Sequence, residues 1–80
     1  MKEKIIGVMR EISAESELQL VRELDDSTVL LESGLDSLGF AILVARLEEE
    51  LGYDPFSIMV EPVYPRTLGE FVTIYQKFAP

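Results

Sequence analysis

The 80-residue chain has fifteen acidic and seven basic side chains, a net charge of −8, and neither cysteine nor histidine. This composition excludes disulfides, thiolate metal sites and histidine-based catalysis, and so much negative charge repels nucleic acid and anionic membranes. We expect a single monomeric domain over residues 1–80, because an apolar fraction of 48% suffices for one small core. We expect it to be cytoplasmic, because no apolar stretch is long enough for a signal peptide or membrane span.

The first predicted element is a helix over about residues 2–12. Its apolar residues recur at helical spacing, at Ile5, Ile6, Met9 and Ile12. A long connection follows over about residues 13–36, with a possible short helical turn at residues 18–24 and then a break at residues 25–27. Three leucines are expected to pin this connection onto the core: Leu30, Leu31 and Leu35. An irregular connection of this length is usually functional.

The second helix is predicted to begin at Asp36-Ser37 and to run to about Leu51. Asp36 is a good N-cap, and Gly52 stands where a helix commonly ends in a left-handed glycine. A buried strand over residues 38–45 is the competing interpretation. The length of the pattern decides for a helix, because the segment continues beyond residue 45 without a turn signal.

The remaining elements are a brief helical turn at residues 56–60 and a final helix that starts at Thr67. Pro62 and Pro65 keep the stretch between the helical turn and the final helix extended. Thr67 with Glu70 matches a capping box. Three main helices plus one short helix predict an all-α fold, a small four-helix bundle.

The second helix carries two apolar stripes where one would bury it. The first consists of Phe40, Leu43, Val44, Leu47 and Leu51; the second, confined to the N-terminal half, of Leu38, Ala41, Ile42 and Ala45. Either the helix is buried all round at this end, or the second stripe is an exposed patch for docking partner proteins.

Three acids, Glu48, Glu49 and Glu50, occupy the last turn of this helix, where the helix dipole disfavours negative charge. Arg46 can pair with Glu49 or Glu50, but in the poorer orientation. The triplet is therefore either a recognition surface or a plain solvated face.

The segment over residues 28–38, with Gly34-Leu35-Asp36-Ser37-Leu38 at its end, closely resembles the acyl and peptidyl carrier protein family. The helix after the serine, which ends in leucine and acids, the acidic composition and the capped last helix extend the resemblance over essentially the whole chain. The resemblance implies the family's four-helix bundle and a 4′-phosphopantetheine arm that carries an acyl group as a thioester.

The resemblance also assigns roles to individual positions. Ser37 matches the serine that a phosphopantetheinyl transferase modifies from coenzyme A, and Asp36 matches the aspartate that assists the transferase's magnesium site. Leu38 matches the apolar residue that docks into partners. The expected docking face comprises Leu38, Ala41, Ile42, Ala45, Glu48 and Glu49. Further expected partners are a loading ligase and downstream synthase or transferase enzymes of fatty acid, polyketide or related biosynthesis, with no catalytic or metal-binding residue in the chain itself.

Two positions depart from the fatty-acid-type carriers, which usually have acids at the positions of Gly39 and Ile42. This departure favours a polyketide or peptide synthetase system, or a discrete aminoacyl or peptidyl carrier loaded by an adenylating ligase. A hydrolase with Ser37 as nucleophile is disfavoured because no histidine is present to activate the hydroxyl. A non-catalytic interaction domain without the arm is the remaining alternative, although the Asp36-Ser37-Leu38 motif argues against it.

A cargo chain could also tuck between the helices. The candidates to line such a pocket are Val63, Leu68 and Phe71, for which an ordinary core position is the favoured interpretation.

Overall fold

The computed structural model describes residues 1–16, 19–60 and 64–80. These parts of the chain form four helices, with a short 3₁₀ turn at Leu30–Glu32 in the long connection. The helices are α1 (Lys2–Ser16), α2 (Ser37–Leu51), α3 (Pro55–Ile58) and α4 (Leu68–Lys77). Within these ranges extended pairing is limited to one isolated antiparallel bridge, so the predicted all-α bundle is confirmed. None of the described helices has both the length and the hydrophobicity needed to cross a bilayer.

The helix ends follow the local chemistry of the sequence. The predicted caps of α2 are confirmed, since Asp36 accepts from a first-turn amide and Gly52 adopts a φ of 86°. Thr67 caps α4 by accepting a hydrogen bond from the amide of Glu70. The carboxylate of Glu70 accepts from the amide of Arg66 rather than from the cap residue itself, a one-residue variant of the predicted capping box.

Two predicted elements need correction at their edges. Helix α1 continues to Ser16, past the expected end near residue 12, and α3 occupies Pro55–Ile58 instead of residues 56–60. Asp54 explains the earlier start of α3, because its carboxylate accepts a hydrogen bond from the amide of Phe56 while proline takes the first helical position.

The short helical turn suggested for residues 18–24 is wrong over the described residues 19–24, which are irregular. The amide of Val21 donates to the carbonyl of Ser33 at 2.8 Å, so this segment bonds across the connection and not within itself. Leu18 lies outside the described residues, as does Pro62.

The core brings together one face from each main helix. It consists of Ile5, Val8, Met9 and Ile12 of α1, Leu43 and Leu47 of α2, and Leu68, Phe71, Val72, Ile74 and Tyr75 of α4. Fully burying a side chain of this size contributes about 1.5–3 kcal/mol, so these contacts dominate the stability of so small a fold. Leu30 and Leu35 join the core as predicted, but Leu31 remains 68% exposed, which corrects its predicted role as an anchor.

The long connection is tied to the start of α4 by backbone hydrogen bonds. The amide of Leu30 donates to the carbonyl of Arg66, and the amide of Leu68 donates to the carbonyl of Thr28, each at 2.9 Å. A third bond at 3.0 Å joins the amide of Gly69 to the carbonyl of Asp26. The first amides of α4, which have no partner within the helix, therefore hold the connection in place.

Gly34 lies where the two halves of the connection cross. Its φ of 112° belongs to the region that favours glycine. A Cβ at this position would overlap the backbone oxygen of Gln19. Both the backbone angle and the available space therefore require glycine just before Leu35-Asp36-Ser37.

We predict that Gly34→Ala lowers the free energy of unfolding by about 2 kcal/mol or more, through backbone strain and the clash with Gln19. Gly7→Ala is the matched control, because a Cβ at Gly7 of α1 meets nothing within 4 Å. That variant should raise the free energy of unfolding by about 0.5–1 kcal/mol. Urea denaturation measures both, and an unchanged midpoint for Gly34→Ala would contradict the assigned constraint.

Candidate site at the start of helix α2

Ser37 is the first residue of α2, and it is exposed. The helix is aligned by Asp36, whose carboxylate accepts a hydrogen bond from the amide of Gly39 at 2.7 Å and whose carbonyl accepts from the amide of Phe40 at 2.9 Å. Among the described residues, no protein group bonds to the hydroxyl of Ser37 or to the amides of Ser37 and Leu38. The start of α2 thus presents an unengaged hydroxyl beside free backbone donors.

A groove of about 510 Å³ opens beside Ser37, between the connection and the start of α4. Its apolar wall is formed by Val29, Leu30, Leu31, Phe40 and Pro65. Its polar lining consists of Glu32, Ser37 and Arg66. This volume falls within the range that holds small molecules, about 300–1,000 Å³.

The second apolar stripe of α2 lies largely at the surface. Leu38 is 69% exposed, and Ala41 and Ala45 are exposed as well. Ile42 is half-buried and packs against the core. A helix buried all round at this end is therefore excluded, and three of the four residues form an exposed apolar patch next to Ser37.

The acidic end of α2 divides into free and paired carboxylates. Glu48 and Glu49 are exposed and make no ion pair with any described residue. Glu50 pairs with Lys4 of α1 at 2.8 Å. The apolar patch beside Ser37 is thus followed, on the same helix, by the unpaired carboxylates of Glu48 and Glu49.

Arg46 pairs with Glu15 through two hydrogen bonds, at 2.8 and 2.9 Å, and not with Glu49 or Glu50, for which the sequence offered only the poorer orientation. The longer α1 supplies the reason, because its last turn carries Glu15 to the side of α2. The guanidinium of Arg46 lowers the pKa of Glu15 below its ordinary value of 4.5, mainly by hydrogen bonding to the carboxylate.

A carboxylate whose pKa is lower in the folded than in the unfolded state stabilises the fold at any pH above its unfolded-state pKa. This stabilisation is lost as the pH falls through the folded-state pKa. We predict that Arg46→Gln lowers the free energy of unfolding near neutral pH and that this deficit shrinks as the pH falls below about 4.5. Arg22→Gln is the matched control for net charge, because Arg22 is exposed and pairs with no described carboxylate. Urea titrations across pH check this, and equal deficits for the two variants at every pH would contradict it.

The structure does not support a cargo pocket at the sequence-predicted positions. Leu68 and Phe71 are fully buried in the core and take no part in the groove beside Ser37. Val63 lies outside the described residues. The favoured interpretation of Leu68 and Phe71 as ordinary core is confirmed.

Sequence reasoning missed two residues near Ser37, namely Leu31 and Arg66. Leu30 and Leu31 are adjacent in a tight turn, so only one can face the core, and this was the available signal for an exposed Leu31. No signal in the sequence placed Arg66 here, because its position depends on the backbone pairing between the connection and α4.

In a comparison with known families, residues 4–60 match the family described as the phosphopantetheine attachment site. The matched region contains α1, the connection, α2 and α3. Neither the curated proteins nor the solved structures give a match.

Proposed function

Because this chain belongs to the phosphopantetheine attachment site family, whose members carry 4′-phosphopantetheine covalently on a conserved serine, we propose that Ser37 is its attachment point. The family's domains are non-catalytic carriers. The single observation that carries the proposal is the exposed, unengaged hydroxyl of Ser37 at the first position of α2. Its exposure makes this hydroxyl accessible to an incoming enzyme.

The residues around Ser37 suit a phosphodiester. The free amides at the start of α2 and the positive end of its dipole favour a negative group there. Asp36 fixes the first turn through its bond to Gly39, which holds the serine backbone in one orientation. The bound arm supplies a thiol that holds cargo as a thioester.

The modification step requires little of the chain itself. The oxygen of Ser37 bonds to the phosphorus next to pantetheine in coenzyme A, the diphosphate bond breaks, and adenosine 3′,5′-bisphosphate leaves. We propose that a base of the transferase takes the serine proton, since the chain has no histidine for this task. Asp36, exposed beside the hydroxyl, is proposed to assist the transferase's magnesium.

We predict that incubation with coenzyme A and a broad-specificity phosphopantetheinyl transferase adds one phosphopantetheine to the protein. Ser37→Ala should abolish the addition, whereas Ser57→Ala, which removes an exposed hydroxyl on α3, should leave it unchanged. Intact-mass spectrometry gives the readout. A wild-type protein inert to several transferases, or a modified Ser37→Ala variant, would count against the assignment.

We propose that partner enzymes dock on the exposed patch and the acids beyond it. The patch offers Leu38, Ala41 and Ala45, with Ile42 at its inner edge, and the carboxylates of Glu48 and Glu49 follow one turn further. Such a surface fits a partner with an apolar pocket flanked by basic side chains, because apolar contacts give affinity and opposite charges speed the encounter.

Leu38→Asp should lower the transferase's kcat/KM for the protein about fivefold or more, because one well-buried interface anchor contributes over about 1 kcal/mol. The fold should be unaffected, since this side chain is 69% exposed. Ile58→Asp is the matched control, with a 55% exposed side chain on α3, away from the patch. Rates measured by mass spectrometry decide, and equal losses for the two variants would contradict this docking face.

The proposed cargo is an acyl group, with aminoacyl or peptidyl cargo as the alternative. The alternative is supported by Gly39 and Ile42, which are uncharged at positions where fatty-acid-type carriers usually have acids; in this fold Gly39 is buried and Ile42 is half-buried. The protein that bears the arm but no cargo is incubated with malonyl-coenzyme A and a malonyl transacylase and, separately, with adenylating ligases and their amino acids. The mass added then distinguishes acyl from aminoacyl cargo.

A further inference from the structure

Arg66 lines the same groove as Ser37 and is the only basic residue that does so among the described residues. Its backbone is fixed on both sides: the carbonyl accepts from the amide of Leu30 at 2.9 Å, and the amide donates to the carboxylate of Glu70 at 3.0 Å. Arg66 therefore stays beside the groove as long as the connection remains paired with the start of α4.

The charge of Arg66 has no partner in the described parts of the chain. Three other basic residues pair with carboxylates, namely Lys2 with Asp26, Lys4 with Glu50, and Arg46 with Glu15. The guanidinium of Arg66 lies within ion-pair distance of no described carboxylate. In a protein with a net charge of −8, one arginine without an ion-pair partner among the described residues therefore lines the groove that contains the exposed serine.

A cation in this groove would add to the favourable effect of the free amides on a phosphodiester at Ser37. Asp36 precedes the serine and Glu32 lines the groove, so both carboxylates oppose a further negative charge. An arginine can offset this repulsion, because its planar guanidinium donates paired hydrogen bonds to phosphate oxygens.

We propose that the guanidinium of Arg66 binds the phosphodiester attached to Ser37 and so positions the first part of the arm along the groove. The inference rests on the proposed function of Ser37. The pantetheine unit has a carbon with two methyl groups, which one CH₂ group separates from the phosphate ester oxygen. The apolar wall formed by Val29, Leu31, Phe40 and Pro65 gives these methyl groups a surface to contact. Arg66 is thus a positioning residue, which acts on the arm while it lies along the groove.

The test uses the protein carrying the arm, with complete modification verified by intact mass for each variant. Nuclear Overhauser effects between the geminal methyl groups and Leu31 or Phe40 report the docked arm, and the ³¹P shift reports the phosphodiester. Arg66→Gln should weaken these effects about two- to fivefold and shift the phosphorus resonance, as expected for the loss of one exposed ion pair. Arg66→Lys should restore part of both, since it keeps the charge and loses only the fork geometry.

Arg22→Gln is the control, since it removes the same charge outside the groove and should change neither readout. High salt should weaken the wild-type signals towards those of Arg66→Gln. Fully modified wild-type and Arg66→Gln proteins with the same phosphorus shift and the same methyl contacts would overturn the role of Arg66 alone. A wild-type protein that accepts no arm would overturn the assignment of Ser37, and this inference with it.

Discussion

The pairing of the long connection with the first turn of α4 is the constraint on which the rest of the structure depends. Backbone bonds from Leu30 to Arg66 and from Leu68 to Thr28 fix the connection, while Leu30 and Leu35 bury its apolar side chains. The connection is thereby held against the bundle although it is irregular. The position of Asp36 is thereby fixed, and α2 begins directly after it with its first residue, Ser37, exposed to solvent.

Helix α2 serves two purposes along its length because its two apolar stripes have different surroundings. Leu43 and Leu47 are fully buried and join it to the bundle, whereas Leu38 on the neighbouring stripe is largely exposed. In a domain this small there are too few elements to cover a second face. An uncovered apolar patch therefore remains beside Ser37, and the ion pair of Arg46 with Glu15 fastens the helix to α1.

The sequence was informative wherever a local rule determines the structure. Asp36, Gly52 and Thr67 marked helix ends correctly because capping depends on near neighbours along the chain. It was misleading where long-range pairing decides. The amide of Val21 bonds to the carbonyl of Ser33 instead of forming a helical turn. Arg66 lies at the groove because its carbonyl accepts a hydrogen bond from the amide of Leu30. The exposed serine could be proposed from the motif, but the cation and the groove beside it could not.

The most direct test of the account is the state of the protein purified from the cells that produce it. Tryptic cleavage should release residues 23–46 as one peptide, since no lysine or arginine lies between Arg22 and Arg46. This peptide contains Ser27 and Ser33 as well as Ser37, and tandem mass spectrometry distinguishes the three. The account predicts one phosphopantetheine on Ser37. A peptide that is unmodified under all growth conditions, or modified at another residue, would contradict it.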